Sequence, residues 1–157
     1  MRETQPSVLY EDNHLLVVNK PSGMLTQSDI SGDINLLDIC RDYIREKYQK
    51  KGNVFIGMVH RLDRPVAGVI VFARTSKAAS RLSEQIRNGT MEKRYLAVVD
   101  GVLDDSGTLS HHLIRRGAVQ VTKFSLPKKH PLVLLVRVDP LESPHLNHHL
   151  QRLLMVN

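Results

Sequence analysis

At 157 residues the chain is about one domain long, and a 41% share of hydrophobic residues is enough for a single core. Aromatic residues make up only 4%, with no Trp, so that core must rest on Leu, Val and Ile. No apolar run reaches the roughly 18 residues of a membrane span, residues 1–6 hold no apolar signal segment, and a single cysteine, Cys40, excludes an internal disulfide framework. A cytoplasmic protein is therefore expected, and a formal net charge of +6 suits a polyanionic partner such as nucleic acid.

Along the chain, Val8-Leu9-Tyr10 and Leu15-Leu16-Val17-Val18 are short apolar runs split by Glu11-Asp12-Asn13-His14. That pattern predicts two strands and a turn. Lys20-Pro21-Ser22-Gly23 breaks the second strand, because Pro lacks a donor and Gly permits positive φ. Leu36, Cys40, Tyr43, Ile44 and Lys47 follow helical spacing, with Asp33 or Asn35 as the cap and Lys50-Lys51-Gly52 near the end. Phe55-Ile56-Gly57-Met58-Val59 and the continuous run 66–73 read as strands on either side of the polar segment His60-Arg61-Leu62-Asp63-Arg64-Pro65. A polar pocket between two apolar strands is a place for a site.

Thr75-Ser76 opens a second helix whose apolar face carries Ala79, Leu82 and Ile86, and Asn88-Gly89 closes it. Tyr95-Leu96-Ala97-Val98-Val99 is a further strand, Asp104-Asp105-Ser106-Gly107 a turn, and Leu132-Val133-Leu134-Leu135-Val136 a late strand ending near Asp139-Pro140. The expected class is α+β, with a mixed, mostly antiparallel sheet and flanking helices.

His60-Arg61-Leu62-Asp63-Arg64-Pro65-Val66-Ala67-Gly68 resembles the signature of the RluA-type RNA pseudouridine synthase family, His-Arg-Leu-Asp-x-x-Thr/Val-Ser/Ala-Gly. Three further stretches resemble that family in order. They are residues 8–23 with their Asn-Lys-Pro-x-Gly loop, Ala73-Arg74-Thr75-Ser76-Lys77-Ala78-Ala79, and Lys93-Arg94-Tyr95-Leu96-Ala97-Val98-Val99-Asp100-Gly101. The likeness runs from Val8 to Gly101 and more thinly to Asp139. It implies one catalytic domain over 1–157 with a central active-site cleft and no separate N-terminal RNA-binding domain. It also implies isomerisation of uridine to pseudouridine in ribosomal or transfer RNA, without cofactor or metal.

That chemistry breaks the bond from ribose C1′ to N1 of uracil and makes one to C5. It needs an ionised carboxylate beside the sugar, as nucleophile at C1′ or base at C2′, and Asp63 suits both roles. The target base must first be flipped out of its stack, at a cost of a few kcal/mol. Arg61, two residues before Asp63, projects to the same face of an extended stretch, and its planar guanidinium can fill the gap the base leaves. By resemblance Tyr95 packs on the flipped base or shuttles a proton; a tyrosine in a strand otherwise serves as half-buried packing. Lys20 holds a phosphate or caps a turn, and His60 and Arg64 join Arg61 and Lys20 as expected RNA contacts. Cys40 reads as a small core hydrophobe. Of the eight histidines, His145, His148 and His149 could share a helix face. They lack the His-Glu-x-x-His pattern and cysteine partners of a metal site, so no metal is expected.

The chain departs from the family after Asp139. The third motif, Thr-Gly-Arg-x-His-Gln-Ile-Arg, has an Arg expected to pair with the catalytic Asp, but here the late strand is followed by Leu141-Glu142-Ser143-Pro144-His145-Leu146-Asn147-His148-His149-Leu150. Arg152 lies too far along for that role. An unpaired buried carboxylate escapes its charge by taking up a proton. The alternative to an active enzyme is therefore an inactive RNA-binding remnant of the same fold. The abrupt loss of pattern is what a frameshifted or truncated product would show, and it predicts a fold incomplete at its C-terminus.

Overall fold

The computed structural model describes residues 5–98, 106–113, 118–125 and 133–138, with side chains described through residue 95. Its elements are β1 (Ser7–Glu11), β2 (Leu15–Lys20), α1 (Leu36–Lys47), β3 (Gly57–Met58), β4 (Gly68–Ala73), α2 (Ser76–Arg87), β5 (Arg94–Val98), β6 (Ser106–Leu113), β7 (Ala118–Ser125) and β8 (Val133–Val138). The chain divides into two compact units, one running to Ser83 and the other starting at Glu84.

The first unit is built on an antiparallel sheet in the order β1-β2-β4-β3. Asp12 closes the β1–β2 hairpin, its Oδ1 accepting the N–H groups of His14 (2.7 Å) and Leu15 (2.6 Å). The register of β2 on β4 pairs Leu16 with Phe72, Val18 with Ile70 and Lys20 with Gly68. Side chains alternate across a sheet, so these residues share a face. Leu16, Val18, Ile70 and Phe72 are fully buried there. Helix α1 adds Leu36, Ile39, Cys40 and Ile44 to the same core, the three-and-four spacing of an amphipathic stripe. Of the two caps foreseen for α1, Asn35 is the one used: its side chain accepts from the N–H of Asp38 at 3.1 Å. Burial raises the Cys40 thiol pKa to about 12, so it stays a protonated core group.

β3 is shorter than the strand expected over 55–59. Gly57 and Met58 pair with Ala73 and Phe72. Further along β4, a side chain replaces the strand: the Val71 N–H donates to Nε2 of His60 at 3.0 Å. Gly57 is also where α2 comes close, for a Cβ built on it would lie 2.9 Å from the Cβ of Ala79. Helix α2 starts as foreseen, with Thr75 Oγ1 accepting from the Ala78 N–H at 3.1 Å, and Gly89 follows it at φ +71°. Ala78 is its buried residue, while Ala79, Leu82 and Ile86 are half-buried.

One polar network went unforeseen. Glu11, at the end of β1, accepts from Tyr43 (2.8 Å), Lys47 (2.8 Å), Tyr48 (2.6 Å) and Arg74 (3.0 Å), which ties β1 to the C-terminal end of α1 and to the residue after β4. Burial pushes the Glu11 carboxyl up, but hydrogen bonds from Lys47, Tyr48 and Tyr43 outweigh it and hold the pKa at about 2.

The second unit carries a separate antiparallel sheet, ordered β5-β8-β7-β6. Tyr95 pairs with Val136, and β6 and β7 form a ladder from Ser106↔Ser125 to Leu113↔Ala118. These two strands were not foreseen, and Ser106 and Gly107 belong to β6 rather than to a turn. Asp104, Asp105 and residues 139–157, with His145, His148, His149 and Arg152, lie outside the described residues. The expected α+β class holds, and among the described residues the named ladders are all antiparallel. Among the described residues, no helix is long and apolar enough to cross a membrane.

Candidate active site

The segment between β3 and β4 carries His60, Arg61, Asp63 and Arg64. Its shape is set by hydrogen bonds from another loop. The N–H of Val66 closes a turn on the carbonyl of Asp63 at 3.0 Å. Backbone polar groups away from water need partners, and residues 22–26 supply several for this turn. Thr26, 3% exposed, donates through Oγ1 to the Leu62 carbonyl (2.6 Å) and accepts from the Leu62 N–H (3.3 Å). The Gly23 N–H reaches the Arg64 carbonyl at 2.8 Å, and Ser22 Oγ the Pro65 carbonyl at 2.7 Å. In return, Arg64 Nε donates to the Gly23 carbonyl at 3.0 Å. Gly23 does this at φ +84°, a conformation that side-chain-bearing residues rarely adopt. Asp63 is thus presented on a turn templated by a loop some forty residues earlier.

Lys20 is the strongest member of that template. It is fully buried, and its Nζ donates to the carbonyls of Pro21 (3.1 Å), Met24 (2.7 Å) and Arg64 (3.1 Å). An ammonium has three protons, and here each has an acceptor. Of its two foreseen roles, holding a phosphate or capping a turn, the geometry gives the second. A phosphate would have to displace a carbonyl and enter a closed site. Burial lowers the Lys20 pKa to about 8, and the nearby Asp63 carboxylate acts against that, favouring the charged amine.

The other expected contacts divide by exposure. Arg61 and Asp63 are half-buried. Arg64 is exposed, and its NH1 pairs with Asp33 at 2.8 Å. It is also close enough to Asp29 to help hold that carboxyl below its usual range, after two hydrogen bonds from Ser31. His60 commits Nε2 to β4, an internal duty for a residue foreseen as an RNA contact. Tyr95 is half-buried on β5 in the second unit; Lys93, just before that strand, is half-buried too, and burial lowers its pKa.

Thr26, Ser22 and Asp33 were missed by sequence reasoning. Their partners are distant in the chain, so no local pattern marks them. An open cleft of about 850 Å³ lies elsewhere, along the polar side of α1, lined by Asp38, Arg41, Asp42, Arg45 and the segment 53–56. None of the six expected site residues lines it. Its arginines are paired one turn away, Arg41 with Asp38 at 2.8 Å and Arg45 with Asp42.

The sequence profile of a family described as RNA pseudouridylate synthase matches residues 14–147, past the Asp139 at which the likeness was expected to fade. The chain is 32% identical to ribosomal large subunit pseudouridine synthase C of Buchnera aphidicola subsp. Baizongia pistaciae, over 85% of this chain and 45% of that protein. It is 36% identical to tRNA pseudouridine synthase C of Haemophilus ducreyi, over 77% of this chain and 48% of that protein. The chain therefore spans about half the length of these relatives. Among solved structures, the human RNA pseudouridylate synthase domain containing 4 superposes with a TM-score of 0.69 at 21% identity, covering 85% of this chain and 58% of that one. The aspartate turn, the ordered motifs around it and this shared fold lead to one assignment: the chain belongs to the RluA-type RNA pseudouridylate synthase family.

Proposed function

We propose that this protein is a pseudouridine synthase acting on structured ribosomal or transfer RNA in the cytoplasm, with Asp63 as its catalytic carboxylate. The observation that carries the reading is the turn bearing Asp63, whose surrounding backbone is held by Lys20, Ser22, Gly23 and Thr26. A reacting group held this firmly retains its attack geometry, which lowers the barrier. In this reading both units serve one catalytic domain. Asp63 attacks C1′ or removes the C2′ proton, Arg61 fills the stack vacated by the flipped uridine, and Tyr95 packs on its base. The glycosidic bond to N1 breaks, a bond from C1′ to C5 forms, N1 gains a proton and the C5 hydrogen leaves to water. The Arg of the family's third motif is absent from the sequence 141–150. Lys20 provides a cation whose charge interacts with Asp63.

The test is tritium release from RNA labelled at uracil C5, by the wild-type chain and by Asp63→Asn. Release by the first and none by the second is the expected result. A folded wild-type chain that binds RNA but releases no tritium from ribosomal or transfer RNA would overturn the enzymatic reading and favour an RNA-binding remnant.

A further inference from the structure

The loop from Gln27 to Asn35 connects the template segment to α1, and its polar and apolar residues have unusual placements. Several of its polar groups bond within the loop. Asp29 Oδ1 accepts from the N–H of Ser31 (2.8 Å) and from its hydroxyl, and Ser31 Oγ accepts from the Asp33 N–H at 3.2 Å. Gly32 turns the chain at φ +70°. The neck is closed by a bridge between Leu25 and Asn35 and by the N–H groups of Leu36 and Leu37 on the carbonyls of Leu25 (2.8 Å) and Thr26 (3.1 Å). Its two apolar residues are exposed. Ile30 has a relative exposure of 107%, and Ile34 is 55% exposed.

A loop ordered by internal hydrogen bonds that holds an isoleucine entirely in water is preorganised for an apolar contact. Its location indicates with what. The loop is tied to the Asp63 turn through Arg64, which pairs with Asp33 at 2.8 Å and feels the charge of Asp29. Ile30 is therefore exposed on a loop joined to the catalytic turn.

We propose that the 27–35 loop is a second RNA-contacting wall of the site, with Ile30 packing on an unstacked base beside the target uridine while the Asp33–Arg64 pair holds the loop in place. The proposal rests on the pseudouridine synthase reading above. The contact chemistry suits RNA, because an extruded uridine leaves neighbouring base faces uncovered and apolar side chains occupy such gaps. The chain as a whole is basic, and the loop's own carboxylates, Asp29 and Asp33, are engaged by Ser31 and Arg64.

The test compares Ile30→Ala and Ile30→Met with wild type by RNA affinity, read as fluorescence anisotropy of a labelled RNA stem-loop, and by tritium release. Because Ile30 is fully exposed, neither change should move the melting temperature. Ile30→Ala should weaken affinity and raise KM about five- to tenfold with kcat within about twofold, the size expected for loss of one base contact. Ile30→Met, which keeps apolar bulk, should restore both. Wild-type affinity and KM in Ile30→Ala would overturn the proposal, as would failure of the wild-type chain to bind RNA. If wild type binds RNA without releasing tritium, the enzymatic reading fails and the Ile30 comparison is decided on affinity alone.

Discussion

Replacing Lys20 with methionine separates the energetics of the template from its function. Methionine fills a similar apolar volume but removes the charge and three donors. In the fold, the ammonium carries a cost: lowering its pKa from 10.5 to about 8 corresponds to about 3 kcal/mol against the charged form, which the variant no longer bears. Against that gain, the carbonyls of Pro21 and Met24 lose a buried donor, at about 1–3 kcal/mol each. The Arg64 carbonyl keeps the N–H of Gly23. The two effects nearly offset, so Lys20→Met should change unfolding free energy by no more than about 3 kcal/mol. Activity should respond differently, because the tie from β2 to the Asp63 turn and the cation whose charge interacts with Asp63 are both gone. A loosened turn should lower kcat about a hundredfold.

Urea unfolding alongside tritium release measures both quantities. The pH dependence gives a second handle. As pH rises through about 8 the folded amine loses its proton, while the unfolded one keeps it to about 10.5. The unfolded state then binds more protons, so this group's contribution to stability rises with pH across that window. Activity should fall over the same window, since a neutral amine has two protons for three carbonyls. Wild-type kcat in Lys20→Met, or a stability loss far beyond 3 kcal/mol, would refute the account of Lys20 as a buried clamp whose burial cost offsets its bonds.

Two other substitutions probe the frame around the site. Glu11→Gln should cost about 3 kcal/mol at neutral pH, because a carboxyl held at about 2 rather than 4.5 contributes stability that is full above the unfolded value. That contribution is lost as pH falls through about 2, so thermal melts of wild type and variant should converge between about pH 4.5 and 2, and a constant gap would count against the network. Gly57→Ala would place a methyl 2.9 Å from the Cβ of Ala79, and should destabilise by about 1–3 kcal/mol in a urea titration. Ala79→Gly introduced on top of it should recover part of that loss, and additive costs would show that the two positions do not press on each other.

Features governed by neighbours in the chain were legible in the sequence. The hairpin strands β1 and β2, helix α1 and the strand β4 follow from apolar spacing and from breakers such as Pro21 and Gly23. The Asp63 segment stood out because its motif is contiguous. The sequence left Lys20 open between a phosphate and a turn and did not show the partner of Arg64, since each depends on which groups arrive after β2 pairs with β4. Lys20 ends up inside, facing carbonyls, while Arg64 ends up outside beside Asp33. Tyr43 and Lys47 did leave a signal in their four-residue spacing on α1, with Tyr48 as its C-cap, though Glu11, the residue all three converge on, is more than thirty positions away. β6 escaped notice because Ser106-Gly107-Thr108-Leu109-Ser110-His111-His112-Leu113 has few apolar residues, and a strand identified by propensity needs them.

The separation between the Asp63 turn and the residues that hold it has a consequence for the order of assembly. Residues 20–26 and 62–66 are brought together by the β2–β4 ladder, with all of α1 in the intervening chain. Closing so long a loop is entropically unfavourable until the strands pair. A peptide spanning only the His60–Gly68 motif would lack every partner supplied by residues 20–26 and should populate no defined turn. During synthesis the site should stay unformed until β4 has emerged and docked. In the finished protein, amides such as Leu62 and Gly23 should exchange with solvent together, as one cooperative opening rather than as independent frayed ends.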